Sequence, residues 1–429
     1  MIRRDNILPL FLLLFPLIWG MGVSFVAVQV LAALILLAGR VKVHLAPPML
    51  VPIYFGIFLY TGSLVVNFPL VPVERIVASA YNLSFWICGL LIALQACRST
   101  SNLAVNRLSY ISRRYLLVLV LLTVFLYFSG IGLLSIKTPA AYIFGGAGVP
   151  ELISDSIVLN IISQDWFFGG AKPRYAFLSP YANAYGACVF LLFALATYRV
   201  NVFSRAYFFT SLMAIALVLS SNSRLLLVMF ILLVFGSVYL VLDRRGRILL
   251  LLVALASCPI FLLLWFDGVL LEYWLGFVNS REGSNSLRFE SYARAIAQTW
   301  ELNPLLGIGV KPRDELGIPL GSHSTLLGTF VKSGVLGLIV FGVFVAKLQA
   351  RAMRRMWRVE RDTSGARLQL ALAIFCLFFL FEDIDAPQLA CFLFFCLLGL
   401  SIRQSLLCEN GDNNKSESNE SNTRFAVSP

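Results

Sequence analysis

Charge is scarce in this chain. Only 13% of its 429 residues are charged, against 59% that are hydrophobic, well above the apolar share of roughly 45–50% found in soluble domains. A water-soluble globule is excluded, because the apolar runs are too many for a soluble core to hide. Histidine is scarcer still, with two in the whole sequence. The eight cysteines fall in apolar runs or on the expected cytoplasmic side, so no disulfide framework and no zinc-ligand spacing is present. There is no Gly-rich phosphate loop ahead of a helix, no HExxH and no internal repeat, which disfavours ATP-driven or nucleotide-sugar chemistry in the cytoplasm.

What the sequence has instead is a series of apolar runs about 17–25 residues long, the length that carries a helix across a hydrocarbon core. Bounded by charged, Pro or Gly residues, they fall near 6–20, 23–39, 49–67, 76–95, 115–134, 181–198, 206–221, 225–242, 248–266, 322–348, 368–381 and 388–402. The pattern predicts one all-α integral membrane domain over 1–408, with about twelve transmembrane helices. The opening MIRRDNILPLFLLLF has signal-peptide character, but without a small-residue cleavage site it reads as the first helix. The net charge of +12 is explained by topology rather than by nucleic acid. Most Lys and Arg gather in alternate connections, which places both termini in the cytoplasm. The Asn-, Ser- and Glu-rich tail, 409–429, reads as disordered.

Two segments on the expected extracytoplasmic side, 135–180 and the larger 267–321, exceed ordinary connections, and loops of that length are usually functional or disordered. In the larger one, Trp274, Phe277, Phe289, Tyr292, Ile296 and Trp300 are spaced so that 287–301 reads as an amphipathic helix. Ser286 is its expected N-cap, Glu290 lies in its first turn, and Asn303-Pro304 ends it.

His323 stands where this loop meets the tenth apolar run. A neutral imidazole there suits a general base for a hydroxyl nucleophile, and the position fits an interfacial or capping histidine equally well. Arg224 directly precedes an apolar run at the extracytoplasmic rim, against the bias of the other arginines, where a charge is costly unless used or paired. Arg288 opens the loop helix, and Arg174 lies ahead of the sixth run. Guanidinium forks match phosphate oxygens, so these three around one cavity would make a diphosphate site without a metal. The alternative is that each snorkels or pairs with a carboxylate such as Glu290 or Asp314. Lys332, nine residues past His323, faces the other way on an ideal helix. Glu382, Asp383 and Asp385 read as a solvated acidic turn, and Gly334 and Gly337 as a place for close helix packing or a bend.

From His323 the chain reads His-Ser, nine residues, Gly334, two residues, Gly337. This spacing resembles the H-[NSQ]-x9-G-x-x-G signature of the O-antigen ligase and polymerase family. RFESYARAIAQTWELNPLLGIG resembles that family's arginine-started helix, Trp, Asn-Pro and Gly-x-Gly pattern. SNSRLLL resembles its Ser-Arg start of a span, and PRYAFLSPYANAYGA a degenerate form of its Arg…Pro-x-x-Asn segment, with Tyr175 where relatives carry glycine. The resemblance implies a GT-C-like membrane glycosyltransferase in a bacterial inner membrane, with its site extracytoplasmic. The donor would be a glycan on undecaprenyl diphosphate and the acceptor a sugar hydroxyl, as in lipid A-core oligosaccharide. By the same resemblance, Arg224 and Arg288 would hold the diphosphate and His323 would orient or deprotonate the acceptor. Arg174, Asn183, Glu290 and Ser324 would add contacts to diphosphate or glycan. No metal and no cofactor is implied. Repeat-unit polymerase and protein O-oligosaccharyltransferase share the signature. A flippase for the same lipid would instead place charges along mid-span.

Overall fold

The computed structural model describes residues 4–38, 47–98, 101–144, 156–163, 173–250, 252, 282–313, 319–321, 323–357, 363–384 and 388–424. Eleven of the twelve expected runs coincide with helices: α1 Ile7–Gly20, α2 Ala27–Leu37, α3 Val51–Val66, α4 Val73–Arg98, α5 Asn102–Phe128, α7 Ala182–Ala196, α8 Arg205–Ser220, α9 Arg224–Val241, α11 Thr325–Trp357, α12 Thr363–Phe375 with the short α13 Phe378–Phe381, and α14 Gln388–Arg424. The run at 248–266 lies almost wholly outside the described residues. Among the described residues, six stretches are long and apolar enough to cross a membrane: Val73–Arg98, Asn102–Phe128, Arg224–Val241, Thr325–Trp357, Ser364–Phe381 and Gln388–Leu407. The architecture is that of a multi-pass helical membrane protein, in which hydrogen bonds made within each helix spare the backbone from facing lipid unpaired.

Three boundaries differ from expectation for local reasons. The fifth helix starts at 102 rather than 115, because the Ser101 side chain accepts from the amide of Ala104 and caps it. Its end at Phe128 leaves 134 for a strand, so the chain is not purely helical. β1 (Leu134–Lys137), β2 (Val158–Ser163) and β3 (Arg174–Tyr175) form a small antiparallel sheet with β2 central, and the short α6 (Pro139–Phe144) follows β1. The last helix runs to Arg424 through the segment expected to be disordered. No proline lies between Gln388 and Ser428 to stop it.

The main core is rich in phenylalanine: Phe375, Phe378, Phe379 and Phe394 meet at centroid distances of 5.0 to 5.7 Å. Basic side chains gather at one end of the bundle. There Arg107 reaches Asn6, Arg199 reaches Asn102 and Asn106, Arg367 reaches the Tyr198 carbonyl and Arg247 the Met356 carbonyl.

At the opposite end, α11 breaks. Gly334 has φ 62° and ψ −161°, outside the helical region, and the loop after α10 (Glu282–Leu302) fills the gap. The Pro304 and Leu305 carbonyls accept from the amides of Val335 (2.8 Å) and Leu336 (3.3 Å), and the Ile308 amide donates to the Val331 carbonyl (2.7 Å). The approach is close: a Cβ on Gly334 would lie 2.2 Å from the Leu305 oxygen, and one on Gly307 would lie 2.5 Å from the Gly334 nitrogen. Ser63 and Asn67 at the end of α3 donate to the Gly307 carbonyl. A small second core of Ala295, Ile308, Val310, Leu320 and Val331 binds α10, the loop and α11 together.

Gly334→Ala is expected to destabilise the protein by about 2 kcal/mol or more, since a left-handed residue costs 1–3 kcal/mol before the overlap with Leu305 is counted. Gly342→Ala, whose Cβ would meet nothing within 4 Å, is the matched control. Detergent-solubilised thermal unfolding reads the difference, and equal midpoints for the two variants would contradict the account.

Candidate functional site

α10 presents two side chains to the start of α11. Arg288 and Tyr292, four residues apart, share a helix face. Tyr292 donates through its hydroxyl to the His323 carbonyl at 2.8 Å. Arg288 donates to Glu382 Oε1 at 3.3 Å. Glu382 is held in place by its own backbone, because its carbonyl accepts from both the amide and the hydroxyl of Thr325.

The network continues from that carboxylate. Asn183 donates from Nδ2 to Glu382 Oε1 at 2.5 Å, and its Oδ1 accepts from Arg174 at 2.8 Å. Arg174 Nε donates to the Ser221 carbonyl at 3.1 Å, three residues before Arg224 at the N-terminus of α9. Arg224 itself is half-buried, on a helix end whose dipole also favours anions. The structure therefore joins Arg174, Asn183, Glu382 and Arg288 directly, with His323 tied in through Tyr292 and Arg224 through the turn at Ser221.

Four readings from the sequence are corrected here. The acidic turn is not solvated: Glu382 is 3% and Asp383 8% exposed, because each accepts an ion pair. Burial pushes the Glu382 carboxyl above its ordinary value, against the pull of Arg288 and Asn183. Glu290 stands on the outward face, 200° round the helix from Arg288, and pairs with Arg294 at 2.7 Å. It does not reach this network. Ser286 is not an N-cap, since α10 begins at Glu282. The large apolar residues that marked the helix as amphipathic do not form its buried face: Phe289 is 70% and Trp300 64% exposed, whereas Ala295 and Thr299 are buried. Small side chains suit the inner face because loop backbone packs close there. Ser324 is buried and engaged, accepting from the Leu327 amide as a cap of α11 and donating to the Phe379 carbonyl. Tyr175, at the glycine position of relatives, is buried and stacked on Phe177. Trp274, Phe277, Asp314 and Asp385 lie outside the described residues.

Lys311 was not anticipated. It is buried and pairs with Asp383 at 2.5 Å, while Arg75 donates twice to its carbonyl. The only hint in the sequence is its place directly after Gly-Ile-Gly-Val, on a loop whose glycines hold it against α11.

His323 adopts a left-handed backbone, φ 66°, uncommon outside glycine but commoner for His, Asn and Asp. Strain of this kind concentrates at functional sites. The residue is exposed by area, yet enough protein surrounds its imidazole to deprive it of part of its hydration. Burial, then the charges of Arg288 and Lys311, press its imidazole down from 6.5 to about 4. It is neutral at physiological pH.

Residues 208–342 match the model of the O-antigen ligase family. The family resemblance of this segment therefore holds. The matched segment contains Arg224, Arg288, Lys311, His323, Gly334 and Gly337, while Arg174, Asn183 and Glu382 lie outside it. No curated protein matches the chain. One solved chain, from "Structural coordination of polymerization and crosslinking by a peptidoglycan synthase complex", aligns over 82% of this chain and 96% of its own. The identity is 14% and the TM-score 0.40, too low to define a shared fold. Among the described residues no group of His, Cys, Asp and Glu has a metal-binding arrangement.

Because the folded state favours neutral His323, its contribution to stability is fully present above about 6.5 and is lost as pH falls toward about 4. In a His44→Gln background, histidine NMR should show a midpoint near 4, and Arg288→Gln should raise it. A wild-type midpoint at 6.5 would remove the assigned electrostatic environment.

Proposed function

We propose that this chain is a membrane glycosyltransferase of the O-antigen ligase type. It transfers a glycan from undecaprenyl diphosphate to a sugar hydroxyl, such as one on lipid A-core oligosaccharide, at the extracytoplasmic face of a bacterial inner membrane. The observation that carries the reading is that Arg288, which shares a helix face with the Tyr292 bonded to the His323 carbonyl, and Lys311 lie close enough to His323 for their charges to act on it, within the segment that matches the family. Arg174 and the Arg224 turn join Arg288 through Asn183 and Glu382. The sidedness follows from the basic cluster at the other end of the bundle.

In the proposed reaction, the acceptor oxygen bonds to the anomeric carbon as the bond from that carbon to the diphosphate oxygen breaks. The electron pair leaves on the diphosphate, and the hydroxyl proton passes to the His323 imidazole. Arginines fixed by Glu382 and Asn183 stabilise the charge that develops on the leaving oxygen, and preorganised cations in a water-poor site do this strongly. His323 is a weak base while Arg288 and Lys311 act on it alone. A bound diphosphate offsets those charges and raises the imidazole's basicity, so donor binding readies the base.

Reconstituted protein with purified undecaprenyl-diphosphate glycan and core acceptor tests the reading. Transfer should fall about a hundredfold or more in Arg288→Ala and His323→Ala, with membrane insertion retained, and should persist under chelation. Wild-type rates in both variants would end the assignment. In a deletion strain, accumulated lipid-linked polymer marks a ligase, and accumulated lipid-linked single repeats a polymerase.

A further inference from the structure

Between α3, α4 and α11 lies a groove lined by side chains of all three helices. Its lining is graded. At one end stand Thr329, Lys332, Ser333 and Tyr60, and at the other Pro52, Ile53, Phe341 and Phe344. On α11 the lining runs from Thr329 to Phe344, roughly 20 Å at 1.5 Å per residue, a large part of a hydrocarbon core about 30 Å thick. The polar end is the one nearest His323, since Thr329 follows Thr325 by one turn.

Lys332 is 4% exposed and lies in a helix long and apolar enough to span a membrane, where a charge is costly and usually functional. Its ammonium sits 5.1 Å from the centroid of the Tyr60 ring, and Tyr60 is anchored by its hydroxyl to the Ser79 carbonyl of α4. The positive charge is continuous with that beside His323. The Lys311 side chain rests against Gly328, where a Cβ would meet its Nζ at 3.2 Å. Lys332 follows Gly328 by four residues, on the same face one turn deeper. Cations thus step from beside His323 into the head of the groove, and hydrocarbon surface follows.

We propose that this groove holds the first isoprene units of the lipid-linked donor, with Lys332 facing its lipid-proximal phosphate. The proposal rests on the glycosyltransferase reading and adds a positioning residue and a chain-binding surface to it. A two-tailed phospholipid fits less well, because the head of the groove adjoins Lys311, one of the cations beside His323.

Photolabelling of the wild-type protein tests occupancy without requiring transfer. A polyprenyl diphosphate bearing a diazirine in its chain and no glycan should label the segments 52–60 and 337–344. Labelling there by a diazirine phosphatidylglycerol alone, or no labelling there by the polyprenyl probe, overturns the proposal. Kinetics supply the second arm. A side chain at Gly56 projects into the groove, its Cβ meeting nothing closer than Val340 at 4.0 Å. Gly56→Phe should lower the ratio of kcat/KM for an undecaprenyl donor to that for a short-chain prenyl donor by about tenfold. Lys332→Met should raise KM for both donors more than it lowers kcat, and Lys332→Arg should recover most of the loss. If glycan transfer is present but neither variant shifts these quantities, the groove assignment fails and the enzyme reading stands. If the groove is labelled but no glycan is transferred, the enzyme reading fails and the lipid site stands.

Discussion

The placement of Arg288, Tyr292, Lys311 and His323 relative to one another depends on the splice between the Pro304–Gly309 loop and the broken helix α11. At the break, the amides of Val335 and Leu336 and the carbonyl of Val331 lose helical partners and find loop partners instead. Leaving such groups unpaired in an apolar setting would cost several kcal/mol each. The exchange locks the end of α10 to the middle of α11. It is possible only because Gly334 and Gly307 carry no Cβ, so two backbones approach within contact of each other. The glycines of the signature are therefore structural. They fix the rigid geometry in which Arg288 and Tyr292, on one helix, address His323, ahead of the other.

The second constraint is electrostatic. Arg174, Arg224, Arg288 and Lys311 gather with two buried carboxylates, Glu382 and Asp383, so four cations meet two anions. The carboxylates are needed, since breaking a buried pair by removing one partner typically costs 3–5 kcal/mol. They do not cancel the field. With Arg75 also against Lys311, the cations among the described residues outnumber the carboxylates, a surplus that suits an anionic ligand, and Arg288 and Lys311 add to the effect of burial on the His323 imidazole.

Much of this was legible in the chain. Apolar runs located eleven helices, because the helical rise of about 1.5 Å per residue and the bilayer thickness leave little freedom. The spacing from His323 to Gly334 and Gly337 marked the segment where loop and helix meet. What sequence could not supply was pairing across distance. Glu382 and Arg288 are 94 residues apart, and a run of acidic residues at a helix end looks like a solvated turn until its partners are seen. Lys311 was hidden for the same reason. The inner face of α10 was not legible from its large apolar residues, which mark the helix as amphipathic without forming its buried face. In the fold that face needs small residues, and Phe289 and Trp300 point outward.

The low basicity of His323 has a chemical logic within the proposed reaction. An imidazole pressed to about 4, by burial first and then by Arg288 and Lys311, takes a proton from a hydroxyl only poorly, and the two cations are those a diphosphate would neutralise. Before the donor arrives the base is suppressed; afterwards its basicity rises in proportion to the charge brought in. Water, the commonest competing hydroxyl, therefore meets a weak base in the empty site, and the acceptor meets a stronger one only with the donor in place. A carboxylate in the same position would respond in the same direction, but its low intrinsic pKa would leave it too weak a base even after the offset. Histidine begins near neutrality, so although burial supplies the largest part of its depression, offsetting the further part that Arg288 and Lys311 add moves it toward the range in which it is a useful base.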